Sequence, residues 1–299
     1  MAEILQYNEI AAKLGLRAPW KLLDMAQKTD DTHFIGFKNF TADENFFIGH
    51  FPVHPIVPGV LHVEAMRQLC CCFLPGDARG KRIKQLDKVK FRRPILPGDR
   101  MQVDAEVISA GDGEWVIKAV CKTVSGACSE ATITICNAAE VCGGITALPA
   151  LDGECARTAD INMDTDQVMK LMPHRFPFLL IDYVSKVEGT KIIAVKNISG
   201  NEPFIDAGFN TVPDALMCEI AAQSGCASVL SRPENKGKLG FFMAIDKAVF
   251  HRQVVPGEQL LVDIDLPESK SRFGKGSGVI RVGEEVVAEV ALMFAIVEA

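Results

Sequence analysis

A histidine and a glutamate in the first half of the chain stand out because their surroundings are apolar. His50 lies in the turn-rich segment "FFIGHFPVHPIVPG", residues 46–59, and Glu64 lies in the apolar stretch that follows it. An imidazole, with a pKa of about 6.5, is a usable base near neutral pH. Burial disfavours the charged form of a carboxyl group, which raises its pKa and keeps a proton available. Together these two residue types predict acid–base chemistry.

An internal repeat adds a second glutamate of the same kind. Segment 38–50, "KNFTADENFFIGH", matches segment 196–208, "KNISGNEPFIDAG", at an offset of 158 residues, and segment 87–99 matches segment 246–258 at an offset of 159. Ordered matches at nearly one spacing indicate two homologous halves. The expected division is an N-terminal domain over 1–137, a linker over 138–163 and a C-terminal domain over 164–299.

The two halves differ where the chemistry is expected. Gly208 stands in the position of His50, and the loop that follows Gly208 is three residues shorter than its counterpart. The acid persists, because Glu219 aligns with Glu64. Only the first half therefore carries both a histidine and an acid at these positions.

Each half contains one helix that is apolar nearly all round, predicted over 60–74 and over 214–230. A helix that is apolar on every face is buried. Gln68 and Gln223 each follow their glutamate by four residues and so lie on the same helix face. We expect these glutamines to hold the carboxyl groups in place.

Alternating apolar residues follow the buried helices and predict strands. In the first half they cover "MQVDAEVIS", "EWVIKAVCKTV" and, after a turn at Ser125 and Gly126, "CSEATITI". One buried helix followed by an antiparallel meander predicts an α+β fold in which the sheet curls around the helix. The glycine-rich "GKGSG", residues 274–278, lacks the Lys-Ser/Thr pattern of a phosphate loop and is predicted to be a turn between strands.

The motif around His50 resembles the signature of the hotdog-fold β-hydroxyacyl-acyl-carrier-protein dehydratases of the FabZ type. "NFFIGHFPVHPIVPGVLHVEAMRQ" is similar to that family's N-E-P-F-F-x-G-H-F-P stretch, its P-G-V-L and its E-A-x-x-Q. "LMPHRFPFLLIDYV" and "FFMAIDKAVFHRQVVPGEQL" in the second half resemble other blocks of the family. The resemblance implies a double hotdog: two tandem hotdog domains, each with a long buried helix wrapped by a curved antiparallel sheet, related by a pseudo-two-fold axis.

In this family two hotdogs pair, and each active site takes its histidine from one and its acid from the other. The resemblance therefore implies one intact site, with His50 as the base and Glu219 as the group that protonates or orients a leaving hydroxyl. Gln223 would support Glu219. Gly59, at the start of the first buried helix, is expected to offer its N–H to the carbonyl oxygen of the substrate.

The second potential site pairs Gly208 with Glu64 and Gln68. It lacks a base, so we expect it to be vestigial or structural. The other histidines of these motifs, His62 and His174, are expected to be structural residues.

The function that the resemblance implies is a (3R)-hydroxyacyl-acyl-carrier-protein dehydratase that forms trans-2-enoyl thioesters in fatty-acid or related acyl-chain synthesis. No cofactor and no metal are implied. Two alternatives stay open: a hotdog acyl thioesterase, against which the histidine-bearing loop argues, and a non-catalytic acyl-binding or scaffold subunit.

The distribution of charge along the chain indicates which kinds of binding partner to expect. A net charge of −6 disfavours nucleic acid, but residues 79–93 form a basic stretch. That stretch is either a solvated strand and loop or a docking surface for the acidic acyl carrier protein with its phosphopantetheine-linked substrate. The candidate docking residues are Arg79, Lys81, Arg82, Lys84, Lys88, Arg92 and Arg93.

The remaining features predict a cytoplasmic protein. No apolar run approaches the roughly 18 to 20 residues that span a membrane, and the N-terminus lacks the layout of a signal peptide. Ten cysteines without a secretory signal indicate a reducing compartment with free thiols. We expect no membrane partner, and a homodimer of double hotdogs is left open.

Overall fold

A computed structural model describes residues 3–138, 160–235, 237–267 and 273–298. Of the predicted linker, 138–163, residues 139–159 lie outside the described part. The elements of the first half are β1 (Glu3–Gln6), α1 (Tyr7–Leu14), β2 (Met25–Lys28), β3 (His33–Asn39), a 3₁₀ helix (Asn45–Ile48), α2 (Gly59–Phe73), β4 (Lys81–Phe91), β5 (Arg100–Gly111), β6 (Glu114–Thr123) and β7 (Gly126–Asn137). Those of the second half are α3 (Thr165–Leu171), β8 (Tyr183–Glu188), β9 (Lys191–Asn197), α4 (Pro203–Asp206), α5 (Asp214–Leu230), β10 (Lys238–Phe250), β11 (Gln259–Asp265), β12 (Phe273–Val282) and β13 (Glu285–Glu298).

The helices α2 and α5 are the two buried helices that the sequence predicts. Thirteen of the fifteen residues of α2 and fifteen of the seventeen residues of α5 are buried. The two helices contact each other, and each packs against the strands of its own half. Their apolar character on all faces follows from this double contact, with sheet on one side and helix on the other.

The strands of the described residues form one antiparallel sheet in the order β1-β2-β3-β5-β6-β7-β4-β10-β13-β12-β11-β9-β8. β4 and β10 pair where the halves meet, with Val89 opposite Ile245, so the sheet passes from one half into the other. The predicted α+β architecture, a buried helix wrapped by antiparallel strands in each half, is confirmed.

The two half-sheets repeat the same register. Ile117 of β6 lies opposite Ile133 of β7. The residues 159 positions later, Gly276 of β12 and Leu292 of β13, lie opposite each other in the same way. The sequence repeat is therefore also a structural repeat, and residues of the two halves can be compared position by position.

The prediction of a turn at residues 274–278 is wrong, because this segment lies inside β12. Gly274, Gly276 and Gly278 alternate along the strand and so share one face of it. A Cβ atom on any of the three would overlap an apolar side chain of the same half. Glycine is present because neighbouring side chains occupy the space, not because the chain turns.

In the described part, no helix combines the length and apolar character needed to cross a membrane. The cysteines described there are free thiols, and all of them except Cys226 are buried.

Candidate active site

His50 is held in the loop between the 3₁₀ helix and α2. Its N–H donates to the carbonyl oxygen of Phe46 (2.9 Å), and its own carbonyl oxygen accepts from the N–H of Ile56 (3.0 Å). The ring atom Nδ1 lies 2.9 Å from the carbonyl oxygen of Ile56. A carbonyl can only accept, so Nδ1 carries the proton and Nε2 keeps its lone pair. The loop therefore presents His50 as a base to the cavity that it lines.

Glu219 lies in the second turn of α5 and is buried. Gln223, one turn later, donates from Nε2 to Oε1 of Glu219 (2.9 Å). That amide is itself fixed, because it also donates to the carbonyl oxygen of Phe178 (2.9 Å) and accepts from the N–H of Leu180 (2.8 Å). The contact expected from the four-residue spacing is present, and it orients the carboxyl group.

His174, between α3 and β8, completes the group. Its Nε2 lies 3.5 Å from Oε1 of Glu219. The nearest donor and acceptor atoms of His50, His174 and Glu219 all lie within 4.8 Å of one another, and all three residues are buried. The N–H of Arg175 donates to the carbonyl oxygen of Gly49 (3.0 Å), which ties the two loops together. A histidine of the first half thus meets an acid and a histidine of the second.

Sequence reasoning missed His174, which we expected to be structural. Two signals for it exist in the sequence. It belongs to the block "LMPHRFPFLLIDYV", which resembles the family, and its counterpart at an offset of 158 is the apolar Leu16. The half that has lost the counterpart of His50 has therefore lost the counterpart of His174 as well.

Burial and hydrogen bonds set the charge of each group. Burial, with His174 acting in the same direction, lowers the pKa of His50 to about 4, so His50 is neutral at pH 7 and can accept a proton. Burial alone would raise the pKa of Glu219, but the hydrogen bonds from His174 and Gln223 outweigh it and lower that pKa. The expectation that burial keeps Glu219 protonated is wrong, because its neighbours stabilise the carboxylate.

Two imidazoles and a carboxylate are also ligands that zinc accepts, and this group could hold a metal ion. Acid–base chemistry needs no ion at this position, because side chains supply the base, the carboxylate and the hydrogen-bond donors.

The three side chains open onto a cavity of about 290 Å³ between the two halves. Gly59, the first residue of α2, lines the same cavity. The first N–H groups of a helix have no acceptor within it and lie at the positive end of its dipole. The structure therefore places the expected carbonyl-binding N–H, the base and the acid around one space.

The pseudo-equivalent place in the other half has no base. Gly208 occupies the position of His50, and Leu16 occupies that of His174. A Cβ atom on Gly208 would overlap the carbonyl oxygen of Gly15, and the φ of Gly208 is +105°. This backbone leaves no room for a histidine.

Glu64, the counterpart of Glu219, is neutralised by a neighbour. Arg67 donates from Nε to Oε2 (2.8 Å) and from Nη2 to Oε1 (2.7 Å), and Gln68 donates to Oε1 (2.9 Å). The counterpart of Arg67 in the second half is Ala222. A buried bidentate arginine–carboxylate pair engages both carboxyl oxygens, so Glu64 is part of an ion pair.

A carboxylate lies at the N-terminus of α5, where α2 has none. Asp214 stands where α2 has Gly59. Its carboxylate accepts from the N–H of Ile83 (2.9 Å) and pairs with Arg82 (3.1 Å). The N-terminus of α5 therefore already faces a negative charge.

The basic stretch, 79–93, is strand β4 with its flanking residues. Lys81 and Arg82 are buried, and Arg82 spans the junction of the halves to reach Asp214. A docking role for these two residues is wrong, because a carrier protein cannot reach them. The exposed members Arg79, Lys84 and Lys88 do not line the cavity.

Arg92 and Arg93 are exposed and also line the cavity, which places them at its mouth. Arg92 pairs with Glu130 (2.6 Å), and Arg93 donates to the carbonyl oxygen of Ser125. Both guanidinium groups are thus held beside the entrance.

Comparison with known proteins agrees with this organisation. A family model described as ApeI dehydratase matches residues 26–127, and one described as a FabA-like domain matches residues 172–291. The chain is 44% identical to 3-hydroxyacyl-[acyl-carrier-protein] dehydratase FabZ of Pelotomaculum thermopropionicum over 138 residues, covering 45% of this chain and 99% of that protein. It is 45% identical to FabZ of Oceanobacillus iheyensis, with the same coverage of 45% and 99%.

A solved structure with the same architecture over nearly the whole chain is the dehydratase domain from the CurJ module of the curacin polyketide synthase. The TM-score is 0.63 at 14% identity, and the match covers 93% of this chain and 96% of that domain. This likeness shows the double hotdog fold. The chain, a tandem of two hotdog domains, belongs to the family of FabZ-type 3-hydroxyacyl-[acyl-carrier-protein] dehydratases.

Proposed function

We propose that this chain dehydrates (3R)-hydroxyacyl groups carried on acyl carrier protein to trans-2-enoyl thioesters, in fatty-acid or related acyl-chain synthesis. A single active site at the interface of the halves performs the reaction. One observation carries the proposal: His50 and Glu219, from different halves, meet in one buried cavity, whereas their counterparts are Gly208 and the ion-paired Glu64. The second site is therefore vestigial.

His50 is the base. Its neutral Nε2 removes the proton on C2 of the substrate, and negative charge develops on the thioester oxygen as that C–H bond breaks. The N–H of Gly59 stabilises this charge, since it is unpaired within α2 and lies at the positive end of the helix dipole.

Glu219 orients the C3 hydroxyl as a carboxylate. The separation of up to 4.8 Å between the nearest atoms of His50 and Glu219 is shorter than two hydrogen bonds of about 2.7 Å laid end to end. Once His50 has taken the C2 proton, one hydroxyl oxygen can therefore accept from Nε2 of His50 and donate to the Glu219 carboxylate. His174 and Gln223 keep the carboxylate in the position that accepts it.

The reaction needs no proton from outside the substrate, because His50 passes the C2 proton to the leaving group. The electron pair of the C2–H bond forms the C2=C3 double bond, and the C3–O bond breaks. The departing hydroxide takes the proton that His50 received and leaves as water. Each step reverses with the same groups, so the site also hydrates enoyl thioesters.

Arg92 and Arg93 receive the carrier protein. They stand at the mouth of the cavity, where their positive charge complements an acidic partner and where the phosphopantetheine arm enters. Of the seven candidate docking residues in the basic stretch, the proposed docking surface therefore keeps only Arg92 and Arg93.

The test is incubation with a 3-hydroxyacyl thioester while the absorbance of the conjugated enoyl product is followed. Enoyl formation supports the dehydratase. Release of free thiol would instead indicate a thioesterase, and no reaction with any thioester would indicate a non-catalytic acyl-binding subunit.

A further inference from the structure

The cavity continues past the catalytic group into the second half, between α5 and the sheet. Its walls there are apolar residues of β11, of the position directly after β11 and of β13: Ile264, Leu266, Leu292, Phe294 and Ile296. Near the catalytic group, Nδ1 of His174 and Nε2 of His62 are buried without a hydrogen-bond partner, and both residues line the cavity. Unpaired polar atoms in one part and an apolar remainder suit a ligand with a polar head and an apolar tail.

The helix wall of this extension is made of small residues. Ala221, Ala222 and Gly225 of α5 line the cavity. Their counterparts in α2, at an offset of 155, are Met66, Arg67 and Cys70, which are all buried. The first half therefore fills with side chains a volume that the second half leaves open.

The sheet wall shows the same difference. The face of β12 carries Gly274, Gly276 and Gly278, whereas the matching face of β6 carries Trp115, Ile117 and Ala119. The two strands keep the same register with their neighbours, so the comparison is structural. In the half that holds Glu219, both the helix wall and the sheet wall of the cavity therefore carry smaller residues than their counterparts in the first half.

We propose that the space between α5 and β12 receives the acyl tail of the substrate, and that Gly276 sets the longest tail accepted. The inference rests on the proposed function and goes further by assigning chain-length selectivity to one position. Gly276 is the β12 glycine that lines the cavity directly.

The contacts of Gly276 explain its effect. A Cβ atom at this position would overlap Cδ2 of Leu266, which is the free end of a flexible side chain. Leu266 also lines the cavity, so a larger residue at 276 would displace Leu266 into the volume that the tail occupies. A Cβ atom on Gly274 would likewise overlap the side chain of Phe294, and one on Gly278 would overlap the side chain of Ile264.

The experiment measures kcat/KM for 3-hydroxyacyl thioesters of increasing length, from 3-hydroxybutyryl upward. In the wild-type chain, each methylene that enters the pocket should raise kcat/KM by about four-fold until the pocket is full. Gly276→Ala should reach that limit at a shorter chain, and Gly276→Ile, which copies Ile117, at a shorter one still. The ratio of kcat/KM for long-chain substrates to kcat/KM for the 3-hydroxybutyryl thioester should fall in both variants.

Two further variants guard against a general effect on folding. Ser277→Ile changes the neighbouring, exposed position of β12 and should keep the wild-type length profile. Leu266→Ala combined with Gly276→Ala should return the limit toward longer chains, because it removes the displaced side chain.

An unchanged length limit in Gly276→Ala and Gly276→Ile, with short-chain activity retained, would overturn the inference. So would loss of activity toward all lengths alike in Gly276→Ala with an unaltered melting temperature. If the wild-type chain processes no thioester, the proposed function itself fails. Calorimetric binding of saturated acyl thioesters of increasing length to wild-type and Gly276→Ile chains then tests the pocket alone: a shorter limit in the variant supports it, and equal limits overturn it.

Discussion

Nε2 of His174 lies 3.5 Å from Oε1 of Glu219, the same oxygen that accepts the hydrogen bond of Gln223. Both donors converge on one carboxyl oxygen, which leaves Oε2 for a substrate hydroxyl. Nδ1 of His174 is buried without a hydrogen-bond partner, whereas Nε2 faces the carboxyl oxygen. His174 is therefore a positioning residue that acts through Glu219.

Replacing His174 with leucine, the residue at its repeat position, should lower kcat/KM by roughly ten- to a hundred-fold, the value of a hydrogen bond to a charged group. The acidic limb of the pH–rate profile should move to higher pH, because Glu219 loses the hydrogen bond that most lowers its pKa. A pH profile of kcat/KM measures both effects. His54→Asn, in the exposed loop, is the control, and an unshifted limb in His174→Leu would leave His174 with a structural role only.

The free energy of unfolding should fall as the pH is lowered, because His50 is buried as a neutral ring. Its pKa is about 4 in the folded chain and about 6.5 when unfolded. Below the unfolded value the unfolded chain takes up a proton that the folded chain refuses. The free energy of unfolding should therefore fall between about pH 6.5 and pH 4, by at most about 1.4 kcal/mol per pH unit.

Denaturant unfolding at pH 7 and pH 5 measures this dependence. His50→Gln should lose less stability between the two pH values than the wild type, and His54→Gln should lose as much. An equal loss in His50→Gln and the wild type would show that His50 is not buried as a neutral base.

Gly208→His should fail to restore a second site. The new side chain would overlap the carbonyl oxygen of Gly15, at a φ of +105°, so we expect a loss of at least about 1 to 3 kcal/mol in the free energy of unfolding. Gly200→His, where nothing lies within 4 Å of a Cβ atom, is the matched control. Thermal melting and titration of active sites measure the outcome, and a stable variant with two sites per chain would refute it.

Reversing the charge at Arg92 and Arg93, with glutamate at both positions, should raise KM for carrier-protein substrates and leave KM for small thioester mimics nearly unchanged. The difference should shrink at high salt, because exposed charges are screened. Lys88→Glu, in the same stretch but away from the cavity, should have little effect. An equal rise in KM for both substrate classes would remove the docking role.

Much of the fold could be predicted because the repeat and the periodicity are local signals. The buried helices begin within one residue of their predicted starts. The repeat shows that Glu219 is the counterpart of Glu64, and the family resemblance implies its pairing with His50 across the halves. The register of β12 could not be predicted, since its glycines are explained by side chains such as Phe294 and Leu266 that only the folded sheet brings near.

Two parts of the site depend on long-range contacts that no local pattern encodes. Arg82 looks like a surface residue of a basic stretch, but it is buried against Asp214, which lies far along the chain at the start of α5. The charge of Glu219 depends on His174, a residue of another loop. A rule that relates burial to a raised carboxyl pKa fails there because it omits the partners that folding provides.

The comparison of Glu219→Gln with Glu64→Gln tests the single cross-half site most directly. Kinetics on both purified variants, with their melting temperatures, should show kcat/KM reduced by about a hundred-fold or more in Glu219→Gln. Glu64→Gln should keep its kcat/KM and instead lose roughly 3 to 5 kcal/mol of stability, because it leaves Arg67 buried without its partner. Equal losses of activity in the two variants, or a larger loss in Glu64→Gln, would contradict the account.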